Sequence, residues 1–383
     1  MTFYNSSQPI NIKSNYSEFD VTEFLIKMPT GRQMNSGSLR LNGFLKLFKV
    51  STTGAVVGIS GTEGLMFDQY TGIHSLFRNT NTTINNRTIE SLQNYPRYVA
   101  MMSQHDFSPE GLITSSLSAP ELKGCLNTKF LQGTSQLKGV PFSMKPMIAI
   151  NKSSDDLAQS KFQEIKVMFQ LGSAVESMYI SGGVPTADIF SVQYQLSDLQ
   201  LSWVESPEVP ATVSTPVILN TVSNMVQTMT GLNSNIQVVS STPYDAISIS
   251  FMRQSSIKSL KFNNMLSEYV PAISRCEFLV NGISAPLSYA ITTPCYQDIA
   301  LNYYKSLSSS GNAIWRNQSG IKNSIMNRFL NENGSFGIGT ALPSSINDKL
   351  QVAITIDDGV DDAFNPSTNP IDCFIFVNGF LSI

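Results

Sequence analysis

Two histidines and four cysteines are the residues of this sequence whose chemistry could support nucleophilic catalysis or metal binding. Nucleophilic catalysis needs a histidine or lysine beside an activated hydroxyl, and no G-x-S-x-G serine elbow accompanies His74 or His105. No two cysteines have the C-x-x-C spacing of a zinc ribbon, so we predict free, buried thiols. The cysteines are Cys125, Cys276, Cys295 and Cys373.

The acidic cluster Asp357–Asp362 offers oxygen ligands that suit calcium. It lacks the alternating spacing and terminal glutamate of an EF-hand loop, so we interpret it as a solvated turn and leave cation binding open. The sequence also lacks H-E-x-x-H, a Walker-type phosphate loop and a dinucleotide fingerprint. We therefore predict no enzyme, with no catalytic, cofactor-binding or metal-binding residues. A glycosidase stays open as an alternative, because its two carboxylates meet in space and leave no sequence motif.

Charged residues are scarce, at 14% of 383 residues against about 25% in a typical soluble domain. The formal net charge of −3 includes no basic excess, so we predict no direct binding of nucleic acid. Hydrophobic content is an ordinary 42%, which leaves serine, threonine, asparagine and glutamine to form the surface. Such a surface suits a subunit that buries large interfaces, and equally an uncharged secreted or viral β-protein.

Neither a signal peptide nor a membrane span is predicted. Met1–Ser14 lacks the basic start and the apolar stretch of about 7–15 residues that mark a signal peptide. The longest run without charge, Val209–Tyr244, is interrupted by serine, threonine, asparagine and proline, unlike the roughly 20 apolar residues of a transmembrane helix.

Alternation of apolar and polar residues predicts half-buried β-strands in both halves of the chain. In the first half, Gly43 predicts a bulge or bend, and a shift of phase at Ser197-Asp198 predicts a bulged strand. The alternating segments are Leu39–Leu47, Ile165–Leu171, Val192–Trp203, Ile247–Phe251 and Val352–Ile356.

Helical patterns are few and short. Thr215-Pro216 resembles a helix start, and the apolar residues from Ile218 to Met229 have helical spacing, so we predict a helix that ends at Gly231. Further helices are predicted at Ile299–Leu307 and Ile321–Leu330. Because none is long enough to organise a helical fold, the predicted class is all-β, with sandwiches or barrels.

Three prolines between Glu205 and Pro216 predict a linker, since they follow the end of a strand. The predicted domains are residues 1–205 and 217–383, joined by residues 206–216. A weak internal echo relates Cys276–Gly282 to Cys373–Gly379, and both are interpreted as strands that run into an Asn-Gly turn.

Several of these segments resemble the double jelly-roll major capsid proteins of tailless icosahedral viruses, the lineage of adenovirus, virophages and membrane-containing phages. Lys138–Ile150 followed by Phe162–Leu171 is similar to the end of the first jelly roll, with Val192–Val204 as its final strand. The resemblance also covers the early strands with their short helical turn, a helical insertion and the closing strands. These segments are Gly37–Val50, Phe67–Phe77, Asn94–Tyr98, Gln297–Gly334, Leu350–Ile356 and Ile371–Ile383.

The resemblance implies two tandem eight-stranded jelly rolls with short helices in loops, and a structural function in a virion. It implies a homotrimer that forms a pseudo-hexagonal capsomer, assembles in the host cytoplasm, and contacts neighbouring capsomers and minor capsid proteins. Contact with an internal viral membrane stays open.

A glycan-binding viral attachment protein and a carbohydrate-active enzyme are the alternatives, and both usually display aromatic platforms near carboxylates. Trp203 lies on a predicted strand and is interpreted as a core residue, whereas Trp315 is predicted to lie in a loop.

Overall fold

β-Strands form most of the regular structure in the computed structural model. The model describes residues 1–59, 65–68, 71–103, 139–153, 155–180, 192–214, 216–240, 243–257, 259–265, 273–290, 338–346, 349–357 and 364–383. Several predictions lie outside these residues: those on His105, Cys125, Cys295, Trp315, Asp358–Asp362, Gln297–Gly334 and the two helices at Ile299–Leu307 and Ile321–Leu330. In the part that is described, no helix is long and apolar enough to cross a membrane.

In the part of the chain that the structure describes, thirteen strands and five short helices precede residue 215. The strands are β1 (Phe3–Ser7), β2 (Val21–Ile26), β3 (Arg32–Met34), β4 (Arg40–Val50), β5 (Val56–Val57), β6 (Leu65–Phe67), β7 (Phe77–Ile84), β8 (Arg87–Leu92), β9 (Val140–Met144), β10 (Leu157–Ala158), β11 (Ile165–Leu171), β12 (Met178–Ile180) and β13 (Val192–Pro207). The helices are a 3₁₀ turn η1 (Gly72–Leu76), then α1 (Tyr95–Ser103), α2 (Ala149–Lys152), α3 (Ala174–Ser177) and α4 (Pro210–Ser214).

Among the described residues after position 215 there are eight strands. They are β14 (Ile218–Met229), β15 (Asn233–Val238), β16 (Tyr244–Arg253), β17 (Ile273–Val280), β18 (Ile283–Ala290), β19 (Ile338–Ile346), β20 (Leu350–Ile356) and β21 (Ile371–Ser382).

Both halves of the chain have the same sheet topology. In the first half, one sheet has the order β1-β13-β4-β9 and the other has the order β2-β11-β7-β8. In the second half, the corresponding orders are β14-β21-β16-β19 and β15-β20-β17-β18. Each half thus has eight strands in these two sheets. When they are numbered 1 to 8 along the chain, the two sheets have the orders 1-8-3-6 and 2-7-4-5, which is the arrangement of an eight-stranded jelly roll. The predicted all-β fold of two jelly rolls is therefore confirmed.

The remaining first-half strands extend this frame. Strand β3 pairs with the end of β13 and with β10, β5 forms a hairpin with β4, and β6 pairs with β12. Among the described strands, none of the first thirteen pairs with any of the last eight.

The predicted bulge in β13 is confirmed. Its register against β4 shifts between Ser197 and Gln200, and Asp198 adopts a φ of 51°. Gly43 lies opposite this bulge, where a β-carbon would be 2.7 Å from a methyl carbon of Leu199. The glycine thus leaves room for the extra residue that the bulge inserts.

The predicted helix from Ile218 to Met229 is wrong, because this segment is strand β14. It pairs in continuous antiparallel register with β21 over all 12 residues. Both faces of the strand meet protein: Met229 packs into the core of the second sandwich, and Val222 packs into a core shared with the first half. A strand that packs on protein along part of each face carries apolar residues on both faces, and here their spacing imitates that of a helix.

Of the two predicted Asn-Gly turns, one is confirmed and one is wrong. Asn281 and Gly282 join β17 to β18 with φ values of 51° and 79°, as a tight hairpin turn requires. Asn378 and Gly379 instead lie within β21, paired with β14 on one side and β16 on the other. Glycine is needed there because β16 bulges at Asp245 and brings the backbone of Pro243 against Gly379.

Two further predictions on buried side chains are confirmed. Trp203 is a core residue whose indole N–H donates to the carboxylate of Glu205 over 2.8 Å. Cys276 and Cys373 are free and buried in the second core, where burial raises the pKa of both thiols.

Candidate functional site at the joint of the two sandwiches

The two sandwiches meet where the first half covers the outer face of the β14-β21-β16 sheet. Strand β21 is consequently buried on both faces. Its Cys373 and Ile375 point into the second core, while Phe374 and Phe376 belong to a core made mainly of first-half residues. We call this contact the joint. The elements that form its first-half side are β8, α1 and α2.

Helix α1 contributes an aromatic and a cationic side chain to the joint. The ring of Tyr98 packs against that of Phe376, with centroids 5.6 Å apart. The guanidinium of Arg97 lies 4.0 Å from the centre of the Phe374 ring. Flat rings and a guanidinium plane stack well, so α1 is held by cation–π attraction as well as by apolar burial.

A buried ion pair lies beside α1. The Lys152 ammonium is 2.8 Å from Oε1 of Glu90, and both side chains are only 1% exposed. Glu90 also accepts the backbone N–H of Ala149 at 2.8 Å and the backbone N–H of Val222 at 2.9 Å. Because Val222 belongs to β14, the carboxylate binds both sandwiches at once.

Two amide side chains of β14 complete the polar contacts across the joint. Asn220 donates its side-chain amide to the carbonyl of Lys152 at 3.0 Å. Asn224 accepts the backbone N–H of Gln93 at 2.8 Å. Hydrogen bonds of this kind have directional geometry, so they set the register of one sandwich against the other.

Lys152 is protonated, and therefore charged, at neutral pH. Burial lowers the pKa of this lysine, but the charge of Glu90 and the hydrogen bonds to Glu90 and Tyr98 raise it by more, so the pKa lies above its ordinary value of 10.5. A group whose pKa rises on folding stabilises the folded state below its ordinary pKa and loses that contribution as the pH passes the folded pKa. Deprotonation of Lys152 therefore removes this contribution only under strongly alkaline conditions.

His74 makes a structural contact at the edge of this region. It lies in the 3₁₀ turn η1, in agreement with the predicted helical turn, and a 2.7 Å hydrogen bond joins its Nδ1 to the hydroxyl of Tyr95. The same hydroxyl accepts the backbone N–H of Met147, and burial strongly raises the pKa of Tyr95. His74 therefore ties η1 to α1.

A cavity of about 320 Å³ lies between the sandwiches and has charged groups of both signs in its wall. Two carboxylates line it, Glu176 and Asp372, and Asp372 is engaged by the side chains of Thr228 and Gln254. Among the described residues that line the cavity, the aromatic one is Phe374. Its ring is buried under Arg97, so it offers no exposed surface on which a sugar could stack. Across the described ranges, no three His, Cys, Asp or Glu side chains form a group that could hold a metal ion.

Sequence reasoning missed Glu90, Lys152 and Arg97. Glu90 and Lys152 are 62 positions apart and carry no motif, so only the folded chain reveals that they are partners. One weak signal exists, namely a charged residue, Glu90, that lies between the apolar residues Ile89 and Leu92 of a strand.

Solved structures of viral capsid proteins match this chain over nearly its full length. A quasi-atomic model of the PBCV-1 virus capsid matches with a TM-score of 0.61 at 11% identity, covering 100% of this chain and 94% of that one. The Faustovirus major capsid protein matches with a TM-score of 0.58 at 8% identity, covering 100% and 90% of the two chains. The mavirus major capsid protein matches with a TM-score of 0.54 at 11% identity, covering 99% and 90%.

At these identities the likeness shows the fold: the chain has the double jelly-roll fold along its whole length. No protein-family model matches the sequence, and no curated protein matches it.

Proposed function

We propose that this chain is a major capsid protein that builds the shell of an icosahedral virus. The observation that carries the proposal is the match of two complete jelly rolls to capsid proteins over nearly the full length of both chains. The joint supports it, because a subunit of a closed shell needs two sandwiches in one rigid orientation. Glu90 and α1 provide that rigidity through buried polar and aromatic contacts.

The proposed domains are residues 1–205 and 217–383, with residues 206–216 as the linker. The separate sheets of the two halves support this division. Strand β13 continues to Pro207, and the short helix α4 occupies most of the remaining linker.

We infer that the capsomer is a homotrimer, in which three chains supply six similar sandwiches and form a pseudo-hexagonal tile. The repeated topology supports this, since two equivalent sandwiches in a chain convert threefold symmetry into an approximately sixfold ring. The low charge of the sequence also suits extensive contact between subunits. Neighbouring capsomers and minor capsid proteins are the further proposed partners, and the virion, assembled in the host cytoplasm, is the proposed location.

The proposed role is structural, without enzymatic turnover. His74 is engaged in a contact that joins two elements, and the described carboxylates of the central cavity have no exposed aromatic neighbour. The acidic residue Asp357 directly follows β20. No observation favours a glycan-binding or carbohydrate-active protein over the capsid function.

The purified chain is expected to form a stable trimer at micromolar concentration. Multi-angle light scattering should therefore give three times the 42.0 kDa mass of one chain. The physical reason is that a permanent subunit interface buries more than the roughly 800 Å² per partner of a standard complex. A particle with the mass of a single chain would contradict the proposal.

A further inference from the structure

The first sandwich exposes the face that corresponds to the covered face of the second sandwich. At the joint, β8, α1 and α2 cover the outer face of the sheet that contains β14, β21 and β16. The equivalents of these three strands in the first sandwich are β1, β13 and β4, which lie side by side in the sheet β1-β13-β4-β9. We call the outer face of that sheet the open face.

The strand register identifies the side chains of the open face. Directly opposite residues of an antiparallel pair point to the same face of a sheet, and successive residues alternate between the two faces. Leu41, Leu201 and Trp203 are buried in the core, so the residues beside them in sequence point outward. The opposed pairs on the open face are Tyr4 with Val204, Ser6 with Ser202, Asn42 with Gln200, Phe44 with Pro141 and Lys46 with Gln195.

Two aromatic side chains project from the open face, one on each side of β13. Tyr4 of β1 is 84% exposed, and Phe44 of β4 is 38% exposed. The covered face at the joint likewise carries two aromatic side chains, Phe374 and Phe376, on which α1 packs. Aromatic residues are enriched in protein interfaces because each ring buries a large apolar area. The open face thus has the kind of side chain that holds the joint together.

The uncharged polar side chains of the open face bind one another in the plane of the sheet. The side-chain amide of Gln200 donates to the hydroxyl of Ser6 at 2.8 Å, and the amide of Asn42 donates to the hydroxyl of Ser202 at 2.8 Å. A partner that covers these groups leaves each of them with a hydrogen bond, so the cost of removing them from water is small.

The outer faces of the other two sheets differ from the open face, because they carry exposed ion pairs. Lys166 of β11 pairs with Glu164, and Arg275 of β17 pairs with Glu277. Charged residues are depleted in the cores of protein interfaces, so these two faces are the ones suited to solvent.

Positive charge lies on the β4 side of the open face. Arg40 and Lys46 belong to β4, whereas β13 contributes the exposed Asp198 at its bulge. Lys145 follows β9, and burial together with the charge of Arg40 lowers the pKa of this lysine. The excess of cations favours a partner surface that offers carboxylates or backbone carbonyls. At the joint the covering sandwich supplies a carboxylate, because Glu90 accepts a backbone N–H of β14.

We propose that the second sandwich of a neighbouring copy of this chain covers the open face. This inference rests on the proposed homotrimer and names its contact surface. Within one chain, the first sandwich covers the β14-β21-β16 sheet of the second. The same relation repeated between chains places the second sandwich of one copy on the equivalent sheet of the next copy. Such a head-to-tail contact uses two different surfaces of each chain, and it closes into a ring of three chains and six sandwiches.

Tyr4→Ser and Gln200→Lys separate assembly from folding, because both side chains are exposed in the single chain. The first removes an aromatic anchor, and the second adds a cation to a face that already carries Arg40 and Lys46. Each should weaken trimer association at least about 10-fold, measured by light scattering or sedimentation across a dilution series. Circular dichroism of the dissociated chains should be that of the unmodified protein.

Gln237→Lys is the matched control. Gln237 is exposed on β15, an edge strand of the sheet whose outer face carries the Arg275–Glu277 pair, and its trimer should associate as the unmodified chain does. If Tyr4→Ser and Gln200→Lys both leave the dilution profile unchanged, or if Gln237→Lys weakens association equally, the open face is not the contact, although the homotrimer stands.

A photo-cross-linking residue at position 4 identifies the partner surface. Tyr4→p-benzoylphenylalanine keeps the aromatic ring, and mixing isotope-labelled with unlabelled chains shows by mass spectrometry which cross-links join two copies. We expect cross-links from position 4 to peptides of residues 217–383 in another copy. A trimer that cross-links position 4 only to residues 1–216 of another copy, or that forms no cross-link between copies, overturns the assignment. An unmodified chain that is monomeric at every concentration overturns the homotrimer and this inference together.

Discussion

Glu90→Gln is expected to lower the free energy of unfolding by about 3–5 kcal/mol, the usual cost of removing one partner from a buried ion pair. The substitution retains the shape of the side chain but leaves the ammonium of Lys152 buried without its counter-charge. It also weakens the acceptor for the backbone N–H of Val222 in the second sandwich. Urea denaturation followed by the fluorescence of the buried Trp203 measures the change.

Glu164→Gln provides the matched control. Glu164 pairs with Lys166 at 3.3 Å, but these side chains are 32% and 36% exposed, so the loss should be at most about 1 kcal/mol. Combining Glu90→Gln with Lys152→Met should recover part of the stability, because the uncompensated charge is then absent. Equal losses for Glu90→Gln and Glu164→Gln would show that the joint does not depend on this ion pair.

Gly379→Ala is expected to destabilise the second sandwich by about 3 kcal/mol or more. A β-carbon at this position would overlap the carbonyl oxygen of Pro243 and lie 3.2 Å from its carbonyl carbon. Strand β21 cannot easily move away to remove this overlap, because it is paired with β14 on one side and with the bulged start of β16 on the other. The thermal unfolding midpoint and the yield of soluble protein report the effect.

Gly231→Ala is the corresponding control, since no atom lies within 4 Å of its added β-carbon and its φ is outside the left-handed range. It should change stability by no more than about 0.5 kcal/mol. A Gly379→Ala protein as stable as Gly231→Ala would mean that the strand shifts to accommodate the methyl group, contrary to the close approach seen here.

Local signals in the sequence predicted most of the sandwich frame. Strands with one covered face, such as β11, alternate cleanly and are recognisable from period-two patterns. The bulge near Asp198 was predictable too, because an inserted residue shifts the phase of the alternation, and Gly43 marks the strand opposite.

The joint was not predictable, because its contacts are long-range. Phe374 and Phe376 look like ordinary members of an apolar strand, and only the folded chain separates the face that packs on α1 from the face that packs on the second core. The same double burial made β14 resemble a helix. Gly379 looked like a turn residue because its real requirement, the backbone of Pro243, comes from a distant segment.

Negative-stain electron microscopy of the purified, unmodified chain tests the capsid proposal most directly. Three chains with two equivalent sandwiches each should give class averages with a hexagonal outline and threefold symmetry. Isolated two-lobed particles, each with the size of a single 42.0 kDa chain at micromolar concentration, would contradict the proposal that this protein is the tile of a viral shell.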